Sequence, residues 1–160
     1  MHRKMKKEQL QEHFAELDTL MPLIRESLAA GRSVRFSPRG ISMLPMLRQG
    51  LDSVVLSPLP EKLHKYDLPL YQRDDGSYVL HRIVRTGETY TCIGDNQFKK
   101  EFGLRRDQMI ALVTAFYRGE KRMSTSDPGY RMYCCLWHLS RPLRYFWRRS
   151  KGWLRRHILK

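Results

Sequence analysis

Hydrophobic positions near the start of the chain recur at three- and four-residue steps: Leu10, Phe14, Leu17, Met21, Ile24 and Leu28. That period lays one apolar face along a helix. It predicts an amphipathic helix over roughly residues 4–30, with Pro22 as a place where it restarts or kinks and Gly31 as its stop. After Gly31 the pattern shortens to alternating or β-branched runs separated by turn residues. SVRF, SVVLSP, DLPLYQR, SYVLHRIV, TYTCIG and MIALVTAFYR read as strands. The Asp-Gly in RDDGS at 73–77 marks a hairpin, and RTGET at 85–89 the next turn. STSDPG at 124–129 reads as a polar linker. Beyond it Tyr133, Leu136, Trp137, Leu143, Phe146, Trp147, Leu154 and Ile158 return to helical spacing, interrupted at Pro142 and Gly152. The expected organisation is an N-terminal amphipathic helix (1–31), a mainly β domain (32–123) and a basic, aromatic helical tail (124–160).

Composition adds one feature to this picture. At 160 residues and 41% hydrophobic, the chain has the length and apolar content of one folded domain. Its formal net charge is +14, and the charge is uneven. Tyr130 to Lys160 holds nine Lys/Arg and no Asp or Glu, so the tail supplies nine of the fourteen net charges. Such a tail attracts an anionic partner: acidic lipid, nucleic acid or an acidic protein.

Other classes are set aside by what the chain lacks. Cys92, Cys134 and Cys135 are odd in number and two are adjacent, which is no disulfide framework. No Cys-x-x-Cys or paired-histidine spacing points to zinc, and neither a metal nor a cofactor is expected. The basic start has no apolar core of a signal peptide, and no stretch approaches the ~20 apolar residues that span a bilayer. A cytoplasmic or peripheral membrane location is therefore expected.

Four features of the β region carry candidate chemistry: Ser42 in GISMLPML, His81 in YVLHRIV, and Asp95 and Glu101 in IGDNQFKKE. A serine hydroxyl needs a neighbouring base to become a nucleophile, and that base often needs a third group to orient it. Alternation places His81 on one strand face with Val79 and Ile83, and Leu80 and Arg82 on the other. Each residue also has a plain structural reading: Ser42 as the cap of a short turn, His81 as a satisfied core histidine, GDN as a turn and Glu101 as a solvated charge.

Together the four stretches resemble a known family. GISMLPMLRQGLDSVVLSP is similar to the serine box of type I signal peptidases and LexA-like self-cleaving repressors, KYDLPLYQR to the strand that follows, YVLHRIV to the base-bearing strand, and CIGDNQ to the Gly-Asp-Asn box. The resemblance runs over about residues 33–119. His81-Arg82 is similar to the Ser-His branch, the endoplasmic-reticulum and archaeal type, where other members carry lysine. The resemblance implies a LexA/signal-peptidase-like β fold and a serine endopeptidase acting through an acyl-enzyme. It makes Ser42 the nucleophile, His81 the general base, and Asp95 or Glu101 the acid behind it. It places an oxyanion hole at the backbone of Ser42 with Ser37 of the SPRG loop. Departures are GLDS where the family has Gly-Asp, Tyr66 where it has glycine, and Glu101 where it has Asp.

The substrate class implied is a leader or precursor peptide. The tail arginines Arg141, Arg144, Arg148, Arg149, Lys151, Arg155 and Arg156, interleaved with Trp137, Phe146, Trp147 and Trp153, suit an anionic membrane surface. The same aromatic face could instead pack on the β domain. Nucleic acid is the weaker partner, since the N-terminal segment reads as one helix and offers no helix-turn-helix. The competing reading of the whole chain is a catalytically silent module of the same fold, working through its tail at a membrane or nucleic acid.

Overall fold

The structure, a computed structural model, describes residues 17–147. The predicted helix is present as α1 over residues 17–29, and Pro22 lies within it without ending it. Leu17, Met21, Ile24 and Leu28 are buried on one face; Leu10 and Phe14 lie outside the described residues. Gly31 ends the helix at φ 72°, where Arg32 N–H donates to Ser27 O and Gly31 N–H to Leu28 O. This paired closure needs a left-handed residue, the conformation glycine tolerates best.

The rest of the body is mainly β, in open antiparallel sheets. Its strands are β1 (Val34–Phe36), β2 (Asp52–Ser57), β3 (Pro69–Gln72), β4 (Tyr78–Leu80), β5 (Arg82–Arg85), β6 (Tyr90–Ile93), β7 (Glu101–Leu104), β8 (Met109–Arg118) and β9 (Lys121–Ser124). One sheet runs β1-β2-β8-β3-β4; the smaller one runs β5-β6-β7. β8 is the axis of the first sheet. β2 pairs along one of its edges, while β3 takes residues 109–112 and β9 residues 115–118 of the other.

The six expected strands all appear, with three differences. SYVLHRIV is two strands, because the backbone leaves one sheet and enters the other at His81. β7 and β9 were not expected. Both are short and lack the alternating or β-branched run of the others (EFGL and KRMS), and the pairing that defines each comes from a partner strand. The first residue of the expected linker, Ser124, is the last of β9. After it come α2 (Pro128–Leu139) and a further helix, α3, over residues 141–147, which carries Pro142 in its first turn.

Two apolar clusters hold these layers. α1 and the segment Met43–Leu47 pack on Val54, Leu56, Leu70, Leu80, Ala111 and Val113. Tyr71, Val79, Ile83, Cys92, Leu104 and Met109 fill the space between the two sheets. Val79 and Ile83 share the second cluster and Leu80 belongs to the first, as the alternation predicts. Among the described residues no helix is long and apolar enough to cross a membrane.

Candidate active site

Ser42 lies in the irregular segment between β1 and β2, a stretch that must be held by side chains because it has no sheet partners. Met43, Met46 and Leu47 anchor it in the core. At its far end buried Asp52 accepts Arg48 N–H at 2.9 Å, Nε at 3.1 Å and the terminal guanidinium nitrogen at 2.8 Å. Burial opposes ionisation of Asp52, but these bonds outweigh it and hold the carboxyl below its ordinary range. Arg118 closes the same loop onto Met46 O at 2.9 Å. At the near end Asn96 N–H donates to Ser42 O at 2.8 Å and Asn96 Nδ2 to Ile41 O at 3.0 Å. Ser42 is half-buried, and its Oγ makes no hydrogen bond among the described residues, so no capping bond occupies it.

His81 stands where β4 passes into β5 and is 2% exposed. Its Nδ1 lies 2.9 Å from Glu101 Oε1 and 3.3 Å from Tyr71 Oη. Glu101, at the start of β7, is gripped from the other side by Arg73, with Nε to Oε2 at 2.8 Å and a terminal nitrogen to Oε1 at 2.6 Å. Burial raises the Glu101 carboxyl, yet the bonds from Arg73 and His81 prevail and hold it far below the ordinary glutamate range. An ionised carboxylate only accepts, so Nδ1 is the donor of this pair. In the neutral ring that leaves Nε2 with its lone pair free. Tyr71 is buried beside Glu101, and both conditions push its phenol up, keeping it protonated.

The free nitrogen faces the serine segment across Gly94. A Cβ at that glycine would sit 2.7 Å from Ser42 O and 3.0 Å from His81 Nε2, closer than such contacts ordinarily come. Gly94 is thus required for space and not for a special φ. Ser42 and His81 line one cavity of about 190 Å³, with Phe36, Arg39 and Gln97 among its walls. The direct Ser42–His81 hydrogen bond is not formed in this arrangement.

Arg82, the next residue, turns to the opposite side and is as buried as His81. It donates to both oxygens of buried Asp95, at 2.9 and 2.7 Å. Its remaining bonds reach Tyr66 O (3.1 Å), Tyr130 Oη (2.8 Å), Cys134 Sγ (2.9 Å) and Met46 Sδ (2.8 Å). One guanidinium therefore joins the serine segment, the β3 approach, the Gly94–Asp95–Asn96 turn and α2. Tyr66, where the resemblance implies glycine, takes φ 76°. It is strained there by roughly 1–2 kcal/mol, and in that conformation its carbonyl meets Arg82 and its N–H meets Ile83 O.

The helices beyond the sheet grip the same turn. Trp137 Nε1 donates to Asp95 O at 3.0 Å, and Arg144 stacks on the Trp137 ring at 3.6 Å. Buried Arg141 donates to Gly94 O at 3.3 Å and Gln97 O at 2.5 Å.

Of the residues expected at the site, Ser42, His81 and Glu101 come together. Asp95 does not touch His81; Arg82 occupies its carboxylate. Ser37 is exposed and lies outside the cavity wall, to which its neighbours Pro38, Arg39 and Gly40 contribute instead. Arg141 and Arg144 turn toward the β body, where backbone carbonyls and an indole ring engage them. Arg148, Arg149, Lys151, Arg155 and Arg156 lie outside the described residues. Arg73, Tyr71, Gly94 and Asn96 were not singled out by sequence, and for Gly94 and Asn96 the only signal was their place beside Asp95 in GDN. Among the described residues no three His, Cys, Asp or Glu side chains gather as a metal site would require. No family model, curated protein or solved structure matches the chain.

Proposed function

We propose that the chain is a serine endopeptidase of the signal-peptidase-like kind, cleaving a leader or precursor peptide. One observation carries this reading. A hydroxyl without a hydrogen bond and an imidazole nitrogen without one line the same cavity, while an ionised carboxylate holds the other ring nitrogen. Ser42 Oγ attacks the scissile carbonyl as His81 Nε2 takes its proton. Glu101 keeps the ring in that tautomer and stabilises the imidazolium that forms. The proton then passes to the leaving amine, and water hydrolyses the acyl-enzyme with His81 again as base. Backbone N–H groups around Ser42 are the donors for the oxyanion, each of value ~3 kcal/mol when aligned. Catalytic hydrogen bonds commonly tighten only with substrate bound, which accommodates the unformed Ser42–His81 bond. The left-handed Tyr66 at a family glycine position and the His-Arg pair also support the LexA/signal-peptidase-like fold as part of the proposal.

The test is cleavage of a peptide library by the unmodified chain, Ser42→Ala and His81→Ala. Each variant is expected to lose on the order of 10³-fold or more; the unfolding curve of Ser42→Ala should barely move, whereas His81→Ala also gives up the buried bond to Glu101 and is expected to cost about 1.5–3 kcal/mol. Equal cleavage by all three would remove Ser42 and His81 from the mechanism. The unformed bond favours a second reading, a peptide-binding module without chemistry. Peptide binding that no condition converts to cleavage would establish that reading.

A further inference from the structure

α2 and α3 carry two interleaved stripes. Tyr130, Cys134, Trp137, Arg141 and Arg144 face the β body and are buried or half-buried. Met132, Leu136, Leu139 and Leu143 form the opposite stripe and are 62%, 59%, 66% and 73% exposed. This inverts the ordinary arrangement of a surface helix, in which the outward face is polar. Arg141 and Arg144 have gone inward and the leucines outward, while Arg131 stays exposed. A contiguous run of this kind marks an interaction surface more than an isolated exposed leucine does.

We propose that this outward stripe docks on an anionic lipid surface. The chain beyond it carries Arg148, Arg149, Lys151, Arg155, Arg156 and Lys160 together with Trp153, Leu154 and Ile158, and no acid. A bilayer with acidic headgroups meets both demands at once: its acyl boundary takes the leucines and its headgroups take the basic residues. A second copy of the chain would bring the same positive tail against this one, which like-charge repulsion opposes. Nucleic acid offers phosphates and bases but no apolar layer for Met132, Leu136, Leu139 and Leu143, whereas an acyl boundary takes these four and the exposed rings of Phe146 and Trp147 together. The docked stripe is the back of the helices that hold Gly94–Gln97, so the face that meets lipid and the face that supports the active-site turn belong to the same two helices.

The inference is independent of the peptidase reading, and Ser42→Ala is expected to bind vesicles as the unmodified chain does. The experiment is co-sedimentation with phosphatidylcholine vesicles, with and without about one-third phosphatidylglycerol. The anionic vesicles are expected to bind at least tenfold more strongly, with the excess lost as salt rises from about 50 mM to about 500 mM. Replacing Leu136, Leu139 and Leu143 together by Gln, which preserves helix propensity, is expected to lower binding on the order of tenfold. Tryptophan emission of the unmodified chain should shift to the blue on adding anionic vesicles, a readout that needs no variant. Undiminished binding by the triple variant, or binding indifferent to lipid charge, overturns the proposal. So does a dimer in the absence of lipid that the same substitutions dissolve, or retention by double-stranded DNA under conditions where vesicles are ignored.

Discussion

His81 and Arg82 are neighbours in the chain, both almost wholly buried, and each is paired with an acid. Their surroundings nevertheless differ in kind. Around Arg82 the donors are spent on Asp95, a carbonyl, a phenol and two sulfurs. Around His81 one nitrogen is held and the other opens on a cavity shared with a serine hydroxyl. A saturated buried pair specifies structure; a buried group with one position left open can do chemistry. Two adjacent residues on opposite strand faces thus divide architecture from reactivity.

The sharpest way to break this comparison is to remove the two acids in turn. Asp95→Ala leaves a buried guanidinium without its counter-charge and is expected to cost about 3–5 kcal/mol in urea unfolding. Glu101→Ala, at a carboxylate that keeps about a fifth of its surface exposed, should cost about 1.5–3 kcal/mol, the range for charge-assisted hydrogen bonds, and abolish more activity than stability. If the two variants unfold alike, the division between architecture and chemistry fails. Next in size is Gly94→Ala. Its methyl meets the Ser42 backbone and the His81 ring, so about 1–3 kcal/mol of overpacking is expected, with peptide cleavage lost even at temperatures where the variant is folded.

Acid titration sharpens the same contrast at smaller amplitude. The Glu101 carboxyl is held below its unfolded value, so its stabilisation is complete above about pH 4.3 and is lost as pH falls below that toward its folded value. The gap in melting temperature between the unmodified chain and Glu101→Gln is therefore expected to be widest near neutrality and to close in acid. A gap that stays constant with pH would deny Glu101 its ionised partnership. Smallest of all is Tyr66→Gly, which relieves a left-handed tyrosine. A gain of about 0.5–1 kcal/mol is expected, offset in part by the lost ring contact with His138.

Much of this was legible in the residues. Period-two alternation separated Val79 and Ile83 from Leu80, and turn chemistry located the hairpin at Asp75-Gly76, where Gly76 takes φ 84°. The choice between Asp95 and Glu101 was not legible, because it depends on register. A shift in the β6–β7 pairing sets Glu101 opposite Cys92, on the His81 side. Arg73 was missed for a related reason: it reaches Glu101 across 28 residues of sequence, and only the meeting of the two sheets brings them together. The tail shows the opposite limit. Sequence left Arg141 and Arg144 between an anionic surface and packing on the β domain; their bonds to Gly94, Asp95 and Gln97 carbonyls and the Trp137 ring, formed where α3 follows α2, depend on contacts that composition does not encode.

The axial position of β8 has a consequence for synthesis. Its partners β2 and β3 leave the ribosome tens of residues earlier, and each must wait with a bare edge of backbone donors and acceptors until Met109–Arg118 arrives to lie between them. Arg82 depends on residues translated after β8, Tyr130 and Cys134. The nascent chain therefore carries an uncapped sheet and a partly unsheltered charge through the middle of its translation. Premature termination anywhere before β8 should yield a sticky, degradable fragment and no smaller version of the protein.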